Sequence, residues 1–303
     1  MTQGFDFSPF STAFLAKSPA ATMTEAFDVL VQLVIEAMTT DYSDILYERI
    51  GAIARICHNR PTARNAESKR LLTELDDAIS RAAADEEVRV VILAATGDHF
   101  SAGHDLKEAQ TSRSAFTVEE RWDYEILHYY DFALRIWDLP KPVISQVQGA
   151  CVAGGFMVAN MCDLMVASED AFFSDPVCQS LGTAAVEILI HPWVMGLRQA
   201  KDMLFTGRKI SAHEGFQMGM VNRLVARADL ESTTLALAEQ VAKAPPFALR
   251  LTKRSLNRGY DMQGFRTALQ AHFDTHQLSH NSAEFMAVRD KGLGGAIALG
   301  KNA

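Results

Sequence analysis

Two kinds of hydrophobic run alternate along the first two thirds of the chain. Val88 to Ala94 is almost continuously apolar, which is typical of a strand covered on both faces. Val143 to Val147 repeats this pattern after a Pro-Lys-Pro breaker, and Ile45 to Cys57 predicts one or two strands turned at Gly51. Between these strands, apolar residues from Leu71 to Ala82 recur at helical spacing. Strands that alternate with helices predict an α/β core.

Polar residues mark where two further helices begin. Thr117 with Glu120, and Ser211 with Glu214, fit the capping box, in which two side chains satisfy the first free amides of a helix. The first box is expected to open a long helix that reaches Ile136. Both helices therefore have a predicted start.

The pattern becomes mostly helical from about residue 198. Helices are predicted over Asp229–Lys243 and Asp261–Ser279, and apolar residues from Ala26 to Met38 predict a short helix before the core. We expect three parts: an N-terminal extension over residues 1–44, an α/β core over 45–225 and a helical C-terminal region over 226–303.

Composition and charge narrow the classes of function. The chain has 303 residues and a formal net charge of -8, so we expect no nucleic-acid surface, which would need clustered Lys and Arg. No apolar run approaches the ~20 residues of a membrane span. The N-terminus has no basic segment followed by an apolar stretch, so we expect no signal peptide. Four cysteines without a CxxC pair predict reduced thiols, as in the cytoplasm.

Two glycine-containing loops each follow a predicted buried strand. The first reads FSAGHDLK, from Phe100 to Lys107, and the second reads QGACVAGG, from Gln148 to Gly155. Glycines let a ligand approach the backbone closely, and a helix that starts near Gly154 presents unpaired amides. Two such amides from separate loops can hold a developing negative oxygen, as in an oxyanion hole.

The paired loops resemble the signatures of the crotonase (enoyl-CoA hydratase/isomerase) superfamily. FSAGHDLK is followed by KPVISQVQGACVAGG and then by MCDLMVAS. The similarity extends from ILYERIGAIARICHNRPTARNA, at Ile45, to LFTGRKISAHEGFQMGMVNRLV, which ends at Val225. This resemblance implies a ClpP/crotonase-like ββα spiral core with a helical C-terminal trimerisation region, and an enzyme that acts on acyl-CoA.

The resemblance also assigns two backbone groups to catalysis. In this family, the residue after the glycine of the AGxD motif and a glycine of the later turn donate their amide hydrogens to the thioester carbonyl. The matching positions are His104 and Gly154. Polarising that carbonyl stabilises an enolate, a charge that appears only on the way to the transition state. No permanently bound cofactor and no metal are implied, because CoA enters as part of the substrate.

CoA binding is implied for four positions. Ala102 matches a residue near the adenine, and Lys107 matches a basic residue near the phosphates. Arg64 resembles another position of the adenine pocket, and Phe285 matches an aromatic residue that often contacts the CoA of a neighbouring subunit. Solvated surface charge is the alternative interpretation for Lys107 and Arg64.

Two glutamates of the family are missing. Family hydratases carry one glutamate three residues after the oxyanion glycine, where this chain has Met157. Their second glutamate follows the proline of an FxxPE loop, where this chain has Val177. A thioether and an isopropyl group cannot transfer protons, so we expect both residues to belong to the substrate pocket instead.

Other polar residues are candidates to replace these glutamates. Asp175 lies two residues before Val177, so an extended segment would place both on one face. Glu187 and His191 are four residues apart and would form a base and its partner if the segment is helical. An ordinary polar contact is the alternative for each of them.

The helix after the first glycine loop and the side chain of His104 add further candidates. In this family that helix lines the acyl pocket, and here it carries Trp122, Tyr124 and His128. The imidazole of His104 could assist decarboxylation or hydrolysis, and a histidine at this position also occurs in family decarboxylases.

Three histidines recur every four residues near the C-terminus. His272, His276 and His280 would share one face of a helix. Tetrahedral zinc needs ligands that converge from more than one direction. We therefore expect a solvated or intersubunit face here, not a metal site.

Three hypotheses of function follow. The first is an enzyme of the enoyl-CoA hydratase/isomerase class with a different acid/base set. The second is a carbon–carbon bond hydrolase of the retro-Claisen type or an acyl-CoA decarboxylase, and the third is a non-catalytic protein that binds CoA esters. Both glycine loops are intact, which favours retained chemistry. The resemblance also implies a homotrimer or a dimer of trimers.

Overall fold

Two β-sheets organise the part of the chain that the computed structural model describes, residues 42–297. The predicted helix over residues 26–38 and most of the N-terminal extension lie outside these residues. The strands are β1 (Ile45–Ile50), β2 (Ile53–His58), β3 (Val90–Ala95), β4 (Val143–Val147), β5 (Ala150–Val152), β6 (Leu164–Ser168), β7 (Phe172–Ser174), β8 (Ile210–Ser211) and β9 (Arg223–Val225).

The larger sheet has six strands in the order β1-β2-β3-β4-β6-β9. Only β1 runs antiparallel to its neighbour, and the other pairs are parallel. All residues of β3 and β4 are buried, as the continuous apolar runs predict. The smaller sheet has the order β5-β7-β8.

Helices cover both faces of the larger sheet, and the C-terminal region is helical as predicted. The α-helices are α1 (Lys69–Ala84), α2 (Leu106–Ser112), α3 (Val118–Glu125), α4 (Asp131–Asp138), α5 (Gly154–Asn160), α6 (Val177–Leu181), α7 (His191–Met195), α8 (Leu197–Thr206), α9 (Ala212–Gln217), α10 (Leu230–Ala242), α11 (Pro246–Met262), α12 (Phe265–Ser279) and α13 (Ala283–Asp290). Short 3-10 turns lie at Pro61–Ala63, Val186–Leu189 and Arg227–Asp229.

Helix α1 and helix α10 cover opposite faces. The buried face of α1 runs from Leu71 to Ala82, as its spacing predicts, and the Ser68 side chain caps its first turn. On the other face, Leu230 and Ala238 of α10 pack with Ile92 of β3 and Ile144 of β4. The sheet is therefore a middle layer, as expected for an α/β core.

Two helix boundaries differ from the prediction. The capping box of Thr117 and Glu120 is confirmed, but a π-helical turn, Ile126–Tyr130, interrupts the helix that was expected to run on to Ile136. The helix predicted over Asp261–Ser279 is confirmed over Phe265–Ser279, but it begins later than predicted, because a break at Gly264, where φ is 103°, separates α11 from α12.

Helix α11 itself was not predicted. Pro246 is the first residue of this helix, where proline lacks only an amide that has no helical partner anyway. None of the helices in residues 42–297 is both long and apolar enough to cross a lipid bilayer.

Helix α11 is joined to the core by a buried charge. Lys253 Nζ lies 2.8 Å from Asp163 Oδ2 and also donates to the carbonyl of Lys141 at 3.2 Å. The same carboxylate oxygen accepts the amide hydrogen of Val143, the first residue of β4, at 2.7 Å. The lysine side chain is 7 % exposed, so water cannot replace these partners.

Replacing Lys253 by Met should lower the free energy of unfolding by about 2 kcal/mol, because carbonyls and a carboxylate lose a charged donor. The measurement is urea unfolding of the full chain. Arg254→Met, at an exposed position of the same helix, is the matched control and should change stability by less than about 0.5 kcal/mol. Equal effects of the two substitutions would contradict the assignment.

Candidate active site

The two glycine loops lie side by side because they follow neighbouring parallel strands. β3 and β4 are paired in parallel, so the segments after them emerge at the same edge of the sheet. Ser101 donates its amide hydrogen to Ala150 O at 3.0 Å, and its carbonyl accepts from Val152 at 3.0 Å. The loops therefore continue the pairing of the two strands.

The backbone on both sides of His104 is fixed by Glu67. The Glu67 amide donates to Gly103 O at 2.8 Å, and the Asp105 amide donates to Glu67 O at 3.0 Å. The amide of His104, which lies between them, has no acceptor within residues 42–297. This segment is held rigidly while one amide stays free.

Gly154 presents a second free amide. Its neighbour Ala153 is held at φ 47° and ψ −118°, an unusual conformation for a residue with a side chain, and donates to Ser174 O at 2.9 Å. Within the described chain the Gly154 amide has no acceptor. A Cβ on Gly103 would lie only 3.3 Å from that amide nitrogen, so the two segments are in direct contact.

A cavity opens beside these segments. One part of its wall is apolar, with Leu106, Val152, Val177, Leu181 and Val186. The other part is polar, with His104, Glu125, Thr183, Glu187, His276 and His280. The cavity can therefore hold a group with a hydrocarbon body next to several proton-transfer groups.

Glu187 is a buried carboxyl on the polar wall. Its residue is 1 % exposed, and neither carboxyl oxygen has a hydrogen-bond partner within the described chain. Burial, with the nearby charge of Asp175, raises the pKa of Glu187 well above its usual value. The side chain is therefore a neutral acid near pH 7.

Glu125 experiences the opposite environment. Burial alone would raise the pKa of Glu125, but the imidazoles of His276, His104 and His280 outweigh it and hold the pKa below its usual value. His276 Nε2 lies 3.7 Å from Glu125 Oε2, an ion-pair distance that is too long for a hydrogen bond. Glu125 is therefore a carboxylate at neutral pH.

His104 stands at the end of the cavity next to Gly154. Its ring stacks on Tyr129 with the centroids 3.9 Å apart. Burial lowers the pKa of His104 to about 4, so the imidazole is neutral near pH 7. A Cβ on Gly154 would lie 2.6 Å from this ring, which explains why only glycine fits there.

Glu67 was missed by sequence reasoning. Its carboxyl is fully buried, and a Cβ on Gly154 would lie 2.2 Å from its Oε2 atom. The nearby Ser101 hydroxyl donates to Asn65 O at 2.9 Å, so the Glu67 carboxyl accepts no hydrogen bond within residues 42–297. Burial raises the pKa of Glu67 to about 8, which keeps negative charge away from Gly154 at neutral pH.

Asp175 and His191 form a pair behind the cavity. His191 Nε2 lies 3.1 Å from Asp175 Oδ2, and both side chains are almost completely buried. His191 Nδ1 lies 3.4 Å from the amide of Asn160. The predicted pairing of His191 with Glu187 is therefore wrong, because a 3-10 turn at Val186–Leu189 precedes α7 and the imidazole points to Asp175.

Three residues predicted on the helix after the first loop lie away from the lining of this cavity. His128 is 8 % exposed, and its ring lies 4.5 Å from that of Tyr124. Trp122 packs edge-on against Phe273, with 4.9 Å between the ring centroids. Of the positions of the missing glutamates, Val177 lines the cavity, whereas Met157 is 1 % exposed and packs in the core.

The predicted CoA contacts differ in their accessibility. Lys107 is exposed at the start of α2, and Arg64 is partly buried in the turn before α1. Ala102 lines the cavity. Phe285 is 6 % exposed and packs against His280 of its own chain, with the ring centroids 4.7 Å apart.

Of the two alternatives for the three C-terminal histidines, the solvated face is wrong for His272 and His276, which are buried, and the intersubunit face stays a prediction. His272 Nε2 lies 2.7 Å from Ala185 O, and His276 Nδ1 lies 2.8 Å from Ala184 O. These carbonyls belong to the segment between α6 and α7, which covers α12 and buries the imidazoles. His276 lines the cavity although its spacing is also typical of a surface, and Glu125, which lines it as well, was missed by sequence reasoning.

A family model described as enoyl-CoA hydratase/isomerase matches residues 48–293. The chain belongs to the enoyl-CoA hydratase/isomerase family. This match covers most of the chain and lies within the crotonase superfamily, in agreement with the resemblance of the two glycine loops.

Relatives in this family carry names for different reactions. A Mycobacterium tuberculosis protein provisionally named enoyl-CoA hydratase EchA13 is 40% identical over 259 residues, which are 79% of this chain and 81% of that protein. The 4-chlorobenzoyl coenzyme A dehalogenase-2 of an Arthrobacter species is 32% identical over 71% of this chain and 78% of its own length. Family membership alone therefore leaves the reaction open.

A solved structure of the family has the same fold. It is a protein of Mycobacterium smegmatis, provisionally assigned as an enoyl-CoA hydratase, with 48% identity and a TM-score of 0.74. The alignment covers 78% of this chain and 94% of that structure. The α/β core and the helical C-terminal region are those of the crotonase fold.

Asp175→Ala should lower the free energy of unfolding by about 3 kcal/mol, because it leaves the buried His191 without its carboxylate. It should also lower the pKa of Glu187, since the nearby negative charge is lost. Urea unfolding and carbon-detected NMR titration of the glutamate carboxyls measure these effects. Asp274→Ala, an exposed position on α12, is the control. An Asp175→Ala protein as stable as this control would contradict the buried pair.

Proposed function

We propose that the protein transforms acyl-CoA thioesters through an enolate that the amides of His104 and Gly154 stabilise. The observation that carries this proposal is that both amides lack an acceptor within residues 42–297 while their segments touch each other beside the cavity. Amides fixed before the reaction favour negative charge that develops on the thioester oxygen only during it.

Glu125 and Glu187 supply the proton transfers in this proposal. The two carboxyls line one cavity, and their surroundings move their pKa values in opposite directions. Such a pair provides a base and an acid at the same pH. We therefore assign Glu125 as the base and Glu187 as the acid, in place of the glutamates absent at positions 157 and 177.

The reaction that fits this assignment is the addition of water to a 2-enoyl-CoA. Glu125 takes a proton from water as its oxygen bonds to C3 of the substrate, and the amides of His104 and Gly154 bind the enolate oxygen. Glu187 then gives its proton to C2, and solvent returns both carboxyls to their initial states. The reverse sequence is the elimination of water, so the enzyme is a lyase in this proposal.

Other residues support these roles. Asp175 acts as a positioning residue, because its charge helps to keep Glu187 protonated. Glu67 stays neutral at pH 7, so it does not oppose the negative enolate oxygen beside Gly154. Ala102 lines the entrance for the CoA moiety, with Lys107 and Arg64 as the basic groups for its phosphates.

Self-association through the C-terminal helices is also proposed, as a homotrimer or a dimer of trimers. Its support is the number of apolar side chains that α11 leaves exposed, among them Phe247 at 61%, Leu256 at 66% and Met262 at 89%. A monomeric protein rarely leaves so much apolar surface on one helix. All four cysteines are free thiols, in keeping with the proposed cytoplasmic location.

Glu187→Gln and Glu125→Gln should each lower kcat for hydration of a 2-enoyl-CoA by about 100-fold, since each removes one proton-transfer group. The assay follows the loss of enoyl-thioester absorbance, and the affinity for a saturated thioester should change by less than about threefold. Glu119→Gln, an exposed position of the same helix as Glu125, is the matched control.

Full hydration activity in the Glu187→Gln protein would refute its role as the acid. If the wild type binds 2-enoyl thioesters without turnover but cleaves a 3-oxoacyl or malonyl-type thioester, then the retro-Claisen or decarboxylase hypothesis is correct instead. Binding of every thioester without any turnover would identify a non-catalytic CoA-ester-binding protein.

A further inference from the structure

A second cavity adjoins the first and is lined by three arginines. The two cavities share His104, Leu106, Glu125, Leu181 and His280. Arg113, Arg121 and Arg289, which we call the arginine cluster, line only the second one. An acyl group that starts at His104 and fills the first cavity can therefore extend towards three guanidinium groups.

Arg113 is the most enclosed member of the cluster. It is 6 % exposed, its guanidinium lies over the ring of Tyr124 at 4.6 Å, and its Nε atom has no hydrogen-bond partner within the described residues. Within residues 42–297, no carboxylate lies within 4.0 Å of its nitrogens. Burying a guanidinium is costly unless an anion pairs with it.

Arg121 lies beside the other two guanidiniums. Its own group stands 5.7 Å from the ring centroid of Phe285, another residue that lines the second cavity. Burial lowers the pKa of Arg121, and the like charges of Arg113 and Arg289 lower it further. The mutual repulsion indicates that the three cations face a common space.

The acidic residues around this cavity do not balance the cluster. Glu125 is near Arg113 and Arg121, but it also faces His276 at 3.7 Å. Asp290 pairs with Arg289 at 2.9 Å on the outer side. Two carboxylates therefore stand against three guanidiniums, and the surplus positive charge lies where the cavity has room for a ligand.

We infer that the arginine cluster binds a carboxylate at the far end of the acyl group, so that the preferred substrates are CoA thioesters of dicarboxylic acids. This inference rests on the proposed function for the position of the thioester at His104. A guanidinium presents a planar pair of donors that matches the two oxygens of a carboxylate, and charge-assisted bonds in an enclosed site are stronger than neutral ones.

A phosphate of CoA is the other source of an anion for this cluster. The shared wall at His104 and Glu125 favours the acyl carboxylate, because those residues surround the reacting part of the thioester and not its nucleotide. The exposed Lys107 and the partly buried Arg64 lie outside the second cavity and remain for the phosphates. Binding of free CoA separates the two sources experimentally.

The test is calorimetric binding of matched thioesters to the full chain. Glutaryl-CoA and pentanoyl-CoA have the same chain length, and only the first carries a terminal carboxylate. Wild-type protein should bind glutaryl-CoA at least about tenfold more tightly, and added salt should reduce this preference. Succinyl-CoA with butyryl-CoA and adipyl-CoA with hexanoyl-CoA extend the comparison to other lengths.

Arg121→Gln is the informative variant, since Arg121 is less buried than Arg113 and its loss is less disruptive to folding. It should reduce the preference to less than about threefold, while the affinity for pentanoyl-CoA stays unchanged. Arg121→Lys keeps the charge and should retain most of the preference. Arg70→Gln, on the exposed face of α1, is the control.

Three outcomes would overturn the inference. The first is wild-type protein that binds pentanoyl-CoA as tightly as glutaryl-CoA, with the other two pairs equal as well. The second is a preference that Arg121→Gln leaves intact, and the third is an equal weakening of both thioesters and free CoA, which would assign the cluster to a phosphate. A carboxylate preference without turnover of any enoyl thioester would contradict the proposed function and leave this inference standing.

Discussion

The candidate site depends on one constraint: the segment after β3 is paired with the segment after β4, and Glu67 holds it from the other side. The hydrogen bonds of Ser101 with Ala150 and Val152 fix the first contact, and those of Glu67 with Gly103 and Asp105 fix the second. All these bonds are made by residues next to His104 and Gly154, so the two amides that would bind a thioester oxygen remain free. Because the donors are already fixed, no free energy is needed to orient them during the reaction.

The side chains of the polar wall are likewise set in advance, because their surroundings determine their protonation states. Glu187 and Asp175 are two acids in one buried region, and the imidazole of His191 contacts Asp175 and not Glu187. Glu187 therefore stays protonated, whereas Glu125 is surrounded by imidazoles and loses its proton. Neither carboxyl has a hydrogen-bond partner that could fix its protonation state alone. The protonation states of the proposed acid and base therefore depend on all the surrounding charged and polar groups.

Much of the fold could be predicted from local patterns, and the side chains of the candidate site could not. The buried strands β3 and β4, the buried face of α1 and the capping box at Thr117 all have signals within a few residues. The pairing of the glycine loops also follows from two parallel strands with short motifs after them. These features are local, or they depend on a single contact between neighbouring strands.

The polar residues of the site instead come from distant segments. Glu125 and His276 meet across α3 and α12, and a period of four in His272, His276 and His280 fits a solvated face as well as a buried one. What decides between the two is the segment at Ala184 and Ala185, whose irregular path has no sequence signal. Glu67 is equally hidden, because a single acid after a turn is usually exposed.

If the arginine cluster binds the acyl carboxylate, substrate recognition is coupled to the strength of the proposed base. The Glu125 carboxylate interacts electrostatically with Arg113 and Arg121, so these cations share in stabilising its charge. A carboxylate bound by the arginines would compete for that positive charge and place a second negative charge near Glu125. Both effects raise the pKa of Glu125 and make it a stronger base. A dicarboxylic acyl group would thus increase the basicity of Glu125 on binding, and an alkyl chain of the same length would leave its electrostatic interaction with the arginines unchanged.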